Sequence, residues 1–286
     1  MTAKMEEIKK INKLVVNFDI CSSSHIIEDL LKTDNIKIWR DLLIGMEEHL
    51  TKKSSDYDAE IYKFTGDGWI ILFDQPYSGT NIFKFLRDID KELENIYNDK
   101  VFVSLDIPPK IYGLTVGIDE GPLISLKMNN VIEYIGRPIN IACRLQSVIN
   151  EIDIKGGFRI FMSHRLYHTL KDELAEYYPK ATERPLRNIS GGANFMCYRL
   201  AISDMPFRII SVIYGTPKNK IDVTYQYTKQ IINNSLDILV TNEIAENDPH
   251  KGVRKTLSIK YAFQGKIYIK EVNEGARLQL PENVKV

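Results

Sequence analysis

One stretch constrains the fold of this chain more than any other: YKFTGDGWIILF, from Tyr62 to Phe73. Two β-rich runs, Ala59–Thr65 and Trp69–Phe73, are separated only by Gly66, Asp67 and Gly68. Glycines supply the positive φ that a tight turn needs, so the two runs are expected side by side as an antiparallel hairpin. Upstream, Lys13–Ile20 is a near-continuous apolar run that reads as a buried strand. Between them, Trp39, Leu42, Leu43, Met46 and Leu50 fall on one face of a helix spanning Ile36–Leu50. Ile82, Leu86, Ile89, Leu93 and Ile96 do the same for a second helix. Hairpins interleaved with amphipathic helices argue against an all-helical or purely parallel architecture and predict an α+β or mixed α/β fold.

Farther along, Tyr112–Met128 reads as strand, turn and strand, and Ile139–Ile149 as a helix burying Ile141, Leu145 and Val148. Phe158–Ser163 reads as a strand, 164–174 as a helix, and 188–200 as a closing hairpin. After Leu200 the texture changes. Residues 201–207 carry a proline and read as a linker, and the rest is strand-rich, with Leu257, Ile259, Tyr261 and Phe263 alternating up to a turn at Gly265. The expected organisation is one domain over 10–200, a linker over 201–207 and a small β-rich domain over 208–286.

Charge narrows the partners. Lys plus Arg (38) equal Asp plus Glu (38), so no global field holds nucleic acid or an anionic membrane, and an anionic ligand needs a local site. The apolar runs are too short to span a bilayer, and the opening MTAKMEEIKK lacks the apolar core of a signal peptide. Cys21, Cys143 and Cys197 are an odd number, widely spaced, and read as reduced thiols. A soluble cytoplasmic protein is expected, with neither nucleic acid nor membrane as a stable partner.

The chemistry starts with Asp19, a carboxylate closing a strand that has no packing use for one. Asp67 sits at the tip of the hairpin. If those strands are neighbours, the two carboxylates converge near backbone carbonyls, and such an all-oxygen set suits Mg²⁺. By itself Asp67 reads as a turn residue, chosen for its tolerance of unusual dihedrals. Asn140 and Arg144, four apart, share one helix face and are suited to orient a sugar and hold a phosphoryl group; a solvated face is the plain alternative. His164 and His168 have metal-ligand spacing, but no Glu follows His164, so they read as a helix surface. The basic cluster HKGVRK (His250–Lys255) reads as a solvated loop, with contact to a polyanion as the alternative.

The order of the motifs VVNFDICSSS, YKFTGDGWIILF, LTVGIDEGPLIS and EYIGRPINIACRLQS resembles the catalytic domain of class III nucleotidyl cyclases, the adenylyl and guanylyl cyclase family, over roughly residues 10–200. The resemblance implies a ferredoxin-like α+β domain and two metal ions per site, Mg²⁺ or Mn²⁺. Asp19 and Asp67 would be their ligands, with the backbone carbonyl of Ile20. It implies that Asn140 positions the ribose and Arg144 stabilises the transition state. It also implies a head-to-tail homodimer with active sites at the interface and a nucleoside triphosphate as substrate. The positions that read the base in adenylyl cyclases hold Lys63 and Glu133, with Tyr62 beside them. A donor and an acceptor there disfavour guanine and leave adenine, cytosine and uracil open. Glutamate, one methylene longer than the usual aspartate, leaves less room and suits a pyrimidine. GRP stands where the family commonly has GDT.

The C-terminal part, from VIYGTPKNKIDV through KTLSIKY, resembles the small β sensor domain of bacterial anti-phage cyclases and oligonucleotide synthetases. A class III cyclase joined to it is similar to the pyrimidine cyclases of the Pycsar defence system. That resemblance implies synthesis of cyclic UMP or cyclic CMP, which activates a separate effector. The alternatives are an adenylate cyclase and a catalytically silent nucleotide-binding protein.

Overall fold

The computed structural model describes residues 9–109, 111–155, 157–202, 207–231, 235–263 and 266–281. The chain divides into two compact units, Met1–Ile154 with Phe158–Ile202, and the remainder. Residues 203–206 of the expected linker and the expected turn at Gly265 lie outside the described residues. Among the described residues no helix is long and apolar enough to cross a membrane.

The first unit is built on eight strands: β1 (Lys9–Ile20), β2 (Ala59–Phe64), β3 (Gly68–Asp74), β4 (Leu114–Met128), β5 (Val131–Ile135), β6 (Phe158–Ser163), β7 (Lys180–Arg184) and β8 (Phe195–Ala201). They form one sheet in the order β2-β3-β1-β4-β6-β8-β7, with β5 paired to the far end of β4. Among the described residues of this sheet only β4 and β6 run parallel; every other pair is antiparallel. Its helices are α1 (Ser23–Lys32), α2 (Lys37–Ser54), α3 (Gly79–Ile96), α4 (Arg137–Ser147), α5 (Glu151–Lys155) and α6 (His164–Leu170).

β1 is central and covered on both faces, which explains its unbroken apolar run. Leu14, Val16, Phe18 and Ile20 point into a core shared with Ile26 and Leu30 of α1, Trp39, Leu42, Met46 and Leu50 of α2, and the apolar stripe of α3. Val15 points to the opposite face, where it packs with Leu123 of β4 and Ala142 of α4. Asp19 falls on that second face because strand side chains alternate.

Two expectations are corrected. Tyr112–Met128 contains no internal turn: β4 runs unbroken through Gly121 and Pro122, because Gly121 takes a φ of 148° that only glycine readily adopts. The turn comes at Asn129 and Asn130, whose φ values of 50° and 66° suit a tight hairpin into β5, a strand the periodicity did not reveal. The closing hairpin does not lie within 188–200 either. Its second half is β8, but its partner is the upstream β7, and Gly191 and Gly192 belong to the loop between them.

The second unit contains β9 (Arg208–Gly215), β10 (Lys220–Asp222), α7 (Thr224–Thr228), β11 (Leu236–Leu239), β12 (Thr256–Phe263), β13 (Lys266–Asn273) and β14 (Arg277–Leu280). Its sheets are β10-β9-β12-β13 and β11-β14, around a core that includes Val212, Tyr214, Tyr227, Leu257 and Ile259. The basic cluster His250–Lys255 is not uniformly solvated. Lys255 is 3% exposed and pairs with Asp248 at 2.8 Å and Glu274 at 3.4 Å. A buried ammonium needs such partners, so Lys255 belongs to the framework of this unit and not to its surface.

Candidate active site

The register of β1 against β3 puts Asp19 directly opposite Gly68. A side chain at position 68 would bring its Cβ to 2.0 Å from the carbonyl oxygen of Phe18, so only glycine lets the hairpin lie this close to β1. The tip is then pinned by the backbone, with the Ile20 N–H donating to the Asp67 carbonyl at 3.1 Å. The Asp19 and Asp67 carboxyl groups are brought within hydrogen-bonding reach of one another. Ser23, in the first turn of α1, donates its hydroxyl to Asp67 Oδ2 at 2.5 Å. On the other side Gln146 of α4 donates through Nε2 to Asp19 Oδ2 at 3.3 Å and to Thr115 Oγ1 at 2.9 Å.

Burial, and then the neighbouring Asp67 carboxyl, push the Asp19 carboxyl up to about 8. Two acids sharing one edge must either hold a proton or meet a cation. Among the described residues no group of three His, Cys, Asp or Glu side chains is placed so as to hold a metal ion by itself. The donor set is thus two carboxylates, an all-oxygen pair that fits a hard divalent cation keeping water and phosphate oxygens in its shell, and does not fit zinc.

A second cluster sits where β2 faces β5. A bulge between Ile61 and Lys63 inserts Tyr62 as an extra residue. Bulges re-aim side chains, and here Tyr62 and Lys63 both reach one oxygen of Glu133. The Tyr62 hydroxyl donates to Glu133 Oε2 at 2.5 Å, and Lys63 Nζ lies 3.3 Å from the same atom. The Tyr134 N–H donates to the Tyr62 hydroxyl at 2.9 Å, and the two tyrosine rings meet edge-on at 5.1 Å. The hydrogen bond from Tyr62, with Lys63 beside it, lowers the Glu133 carboxyl below the usual range. Burial and the Glu133 contact push the Tyr62 phenol up to about 12. Tyr62 serves here as a clamp on Glu133, beyond the space its ring fills.

Asn140 and Arg144 share an exposed face of α4, and neither side chain makes a hydrogen bond or ion pair with another described residue. α4 is seated tightly on β4: a Cβ on Gly117 would come within 1.9 Å of the Ala142 carbonyl oxygen. Asp19, Ile20 and Asp67 are therefore brought together, and so are Tyr62, Lys63 and Glu133. Asn140 and Arg144 do not join the Asp19–Asp67 pair of their own chain. Ser23, Thr115 and Gln146 escaped the sequence reading. Their only signal is the strand register and the helix seat, which no local pattern encodes.

No family model matches this sequence, and no curated protein is found similar to it. Solved structures are. The adenylyl cyclase CyaB from P. aeruginosa is similar over 69% of this chain and 97% of its own, at 19% identity and a TM-score of 0.51. The guanylyl cyclase Cya2 is similar over 68% of this chain and 93% of its own, at 15% identity and a TM-score of 0.51. A bacterial light-regulated adenylyl cyclase is similar over 69% of this chain and 54% of its own, at 16% identity and a TM-score of 0.52. The chain thus carries the α+β fold of class III adenylyl and guanylyl cyclases.

Proposed function

We propose that this chain is a nucleotide cyclase that converts a pyrimidine nucleoside triphosphate, UTP or CTP, into the 3′,5′-cyclic monophosphate and pyrophosphate. The observation that carries the reading is the meeting of Asp19 and Asp67 at the end of β1, inside this fold. In the reaction the ribose 3′-oxygen bonds to the α-phosphorus, the bond to the bridging oxygen of pyrophosphate breaks, and the hydroxyl proton passes to water. Two Mg²⁺ or Mn²⁺ ions held by Asp19, Asp67 and the Ile20 carbonyl would offset charge on the attacking and leaving oxygens. Asn140 orients the ribose through its amide, and Arg144 directs its planar set of donors at the phosphoryl group as negative charge grows.

The outward face of Asn140 and Arg144 supports a head-to-tail homodimer in which each site takes its acid pair from one subunit and Asn140 with Arg144 from the other. The hairpin of β4 and β5 exposes Ile124, Met128, Val131, Ile132 and Ile135. An apolar patch of this kind suits a second copy of the chain.

Glu133 supports the pyrimidine reading. Tyr62 and Lys63 occupy one of its oxygens, which leaves the other to accept from an exocyclic amine or a ring N–H. A glutamate reaches one methylene farther toward the base than an aspartate, and the Tyr62 and Tyr134 rings lie beside it, which suits a single-ring base. Adenine is the second reading, because its amine edge also matches a donor beside an acceptor. The resemblance of the C-terminal part to anti-phage sensor domains supports a role as second-messenger synthase in phage defence, with a separate effector activated by the product. The test incubates the purified chain with each of the four ribonucleotides and Mg²⁺ or Mn²⁺, and identifies products by mass spectrometry. Cyclic UMP or cyclic CMP is expected. Cyclic AMP alone overturns the substrate, and no product from a folded dimer overturns the enzyme in favour of a silent nucleotide-binding protein.

A further inference from the structure

Gln146 lies two residues past Arg144 on α4 yet faces the other way. Two helical steps turn by about 200°, so one helix carries Arg144 outward and Gln146 inward onto β1. Both hydrogens of its amide are used, one toward Asp19 Oδ2 and one toward Thr115 Oγ1. Thr115 spends its own hydroxyl hydrogen on the Asp19 carbonyl oxygen at 3.4 Å, which leaves its oxygen free to accept. The reversed amide would set a carbonyl oxygen against a carboxylate, so the network fixes the orientation of Gln146.

We propose that Gln146 is a positioning residue for the divalent-cation site: it holds one oxygen of Asp19 and so sets the carboxyl plane beside Asp67. The inference rests on the reading of Asp19 and Asp67 as that site. A half-buried aspartate at a strand end otherwise samples several rotamers, and binding a cation has to remove that freedom. Gln146 removes it beforehand, from a helix fixed against β4 at Gly117, and adds no charge to an edge that already holds two acids. Because it acts through Asp19, its loss weakens cation binding and leaves the nucleotide KM and the rate at saturating cation in place.

The test uses the full chain without nucleotide and follows Mn²⁺ binding by the electron paramagnetic resonance signal of the free ion. Wild type is compared with Asp19→Ala and with Gln146→Met, which keeps the length and apolar stem and removes both donors. The expected result is binding by wild type, none by Asp19→Ala, and a dissociation constant raised about 3- to 10-fold in Gln146→Met. The Mn²⁺ concentration for half-maximal activity shifts by the same factor, and the unfolding temperature stays at the wild-type value. Wild-type Mn²⁺ affinity in Gln146→Met overturns the positioning role while the cation site stands. A combined fall in unfolding temperature, rate and nucleotide affinity overturns it in favour of simple packing. If wild type binds no Mn²⁺, the cation reading of Asp19 and Asp67 fails, and this inference with it.

Discussion

Gly117 is the position at which the fold and the proposed chemistry are most directly tied. Its missing side chain lets α4 rest on β4, and a Cβ there would lie 1.9 Å from the Ala142 carbonyl oxygen and 2.5 Å from the Gln146 nitrogen. Those two atoms are one helical turn apart, so the intruding methyl presses on a backbone hydrogen bond of α4 and not on a side chain that can swing away. To reach even a tight contact near 3.0 Å, the helix in Gly117→Ala must move outward by about 1 Å. Overpacking of this kind costs about 1–3 kcal/mol. For a unit of this size that lowers the unfolding temperature by about 2–12 °C. The functional loss is larger, because a displacement of about 1 Å in a positioned catalytic group costs on the order of 100-fold in rate, and α4 carries Asn140 and Arg144. The assay is thermal unfolding by circular dichroism beside initial rates of cyclic nucleotide formation. An unfolding temperature and rate both equal to wild type would show that α4 is not held by this contact, and would refute the account of how its residues are placed.

Other perturbations separate the parts of the site. Neither Asp19→Ala nor Arg144→Ala homodimers should cyclise nucleotide, whereas a verified heterodimer of the two regains one intact site and about half the wild-type activity per dimer; no recovery refutes the shared site. In buffer containing EDTA, the contribution of Asp19 to stability should be fully present below about pH 4 and be lost as pH rises toward 8, because its carboxyl is pushed up to about 8 and the unfolded chain ionises first. Asp19→Asn should flatten that part of the urea midpoint against pH, and an unchanged slope assigns it elsewhere. Asp153 is 1% exposed and accepts from Arg184 at 2.9 Å and from Arg199 at 3.0 Å. Asp153→Ala leaves both guanidinium groups facing an empty site and should cost about 3–5 kcal/mol in urea unfolding, where an unchanged midpoint would show the pair to be dispensable.

The hairpin at Gly66–Gly68, the buried strand ending at Asp19 and the stripes of α2 and α3 follow from local rules: turn glycines need positive φ, and apolar periodicity reports which face is covered. These features point to the fold class and to Asp19 and Asp67; Asn140 and Arg144 stand out through their shared helix face and the family resemblance of the motif order. Local rules misread Gly121 and Pro122 as a turn, because the pairing of β4 with β1 holds the strand extended through them. They also missed β5, a short strand with one partner and mostly exposed apolar residues.

What only the tertiary structure decided is which groups touch. Asp19 meets Asp67 because the β1–β3 register sets Asp19 opposite Gly68. Gln146 reaches Asp19 because Gly117 admits α4 at close range. Tyr62 and Lys63 grip the same oxygen of Glu133 because a bulge, invisible in the alternation, inserts one residue into β2. The sequence determined the residue types and the faces they occupy, since propensity and periodicity act over a few residues. Contacts between residues 40 to 130 positions apart depend on register and helix seating, and those are settled only when the whole sheet closes on both of its faces.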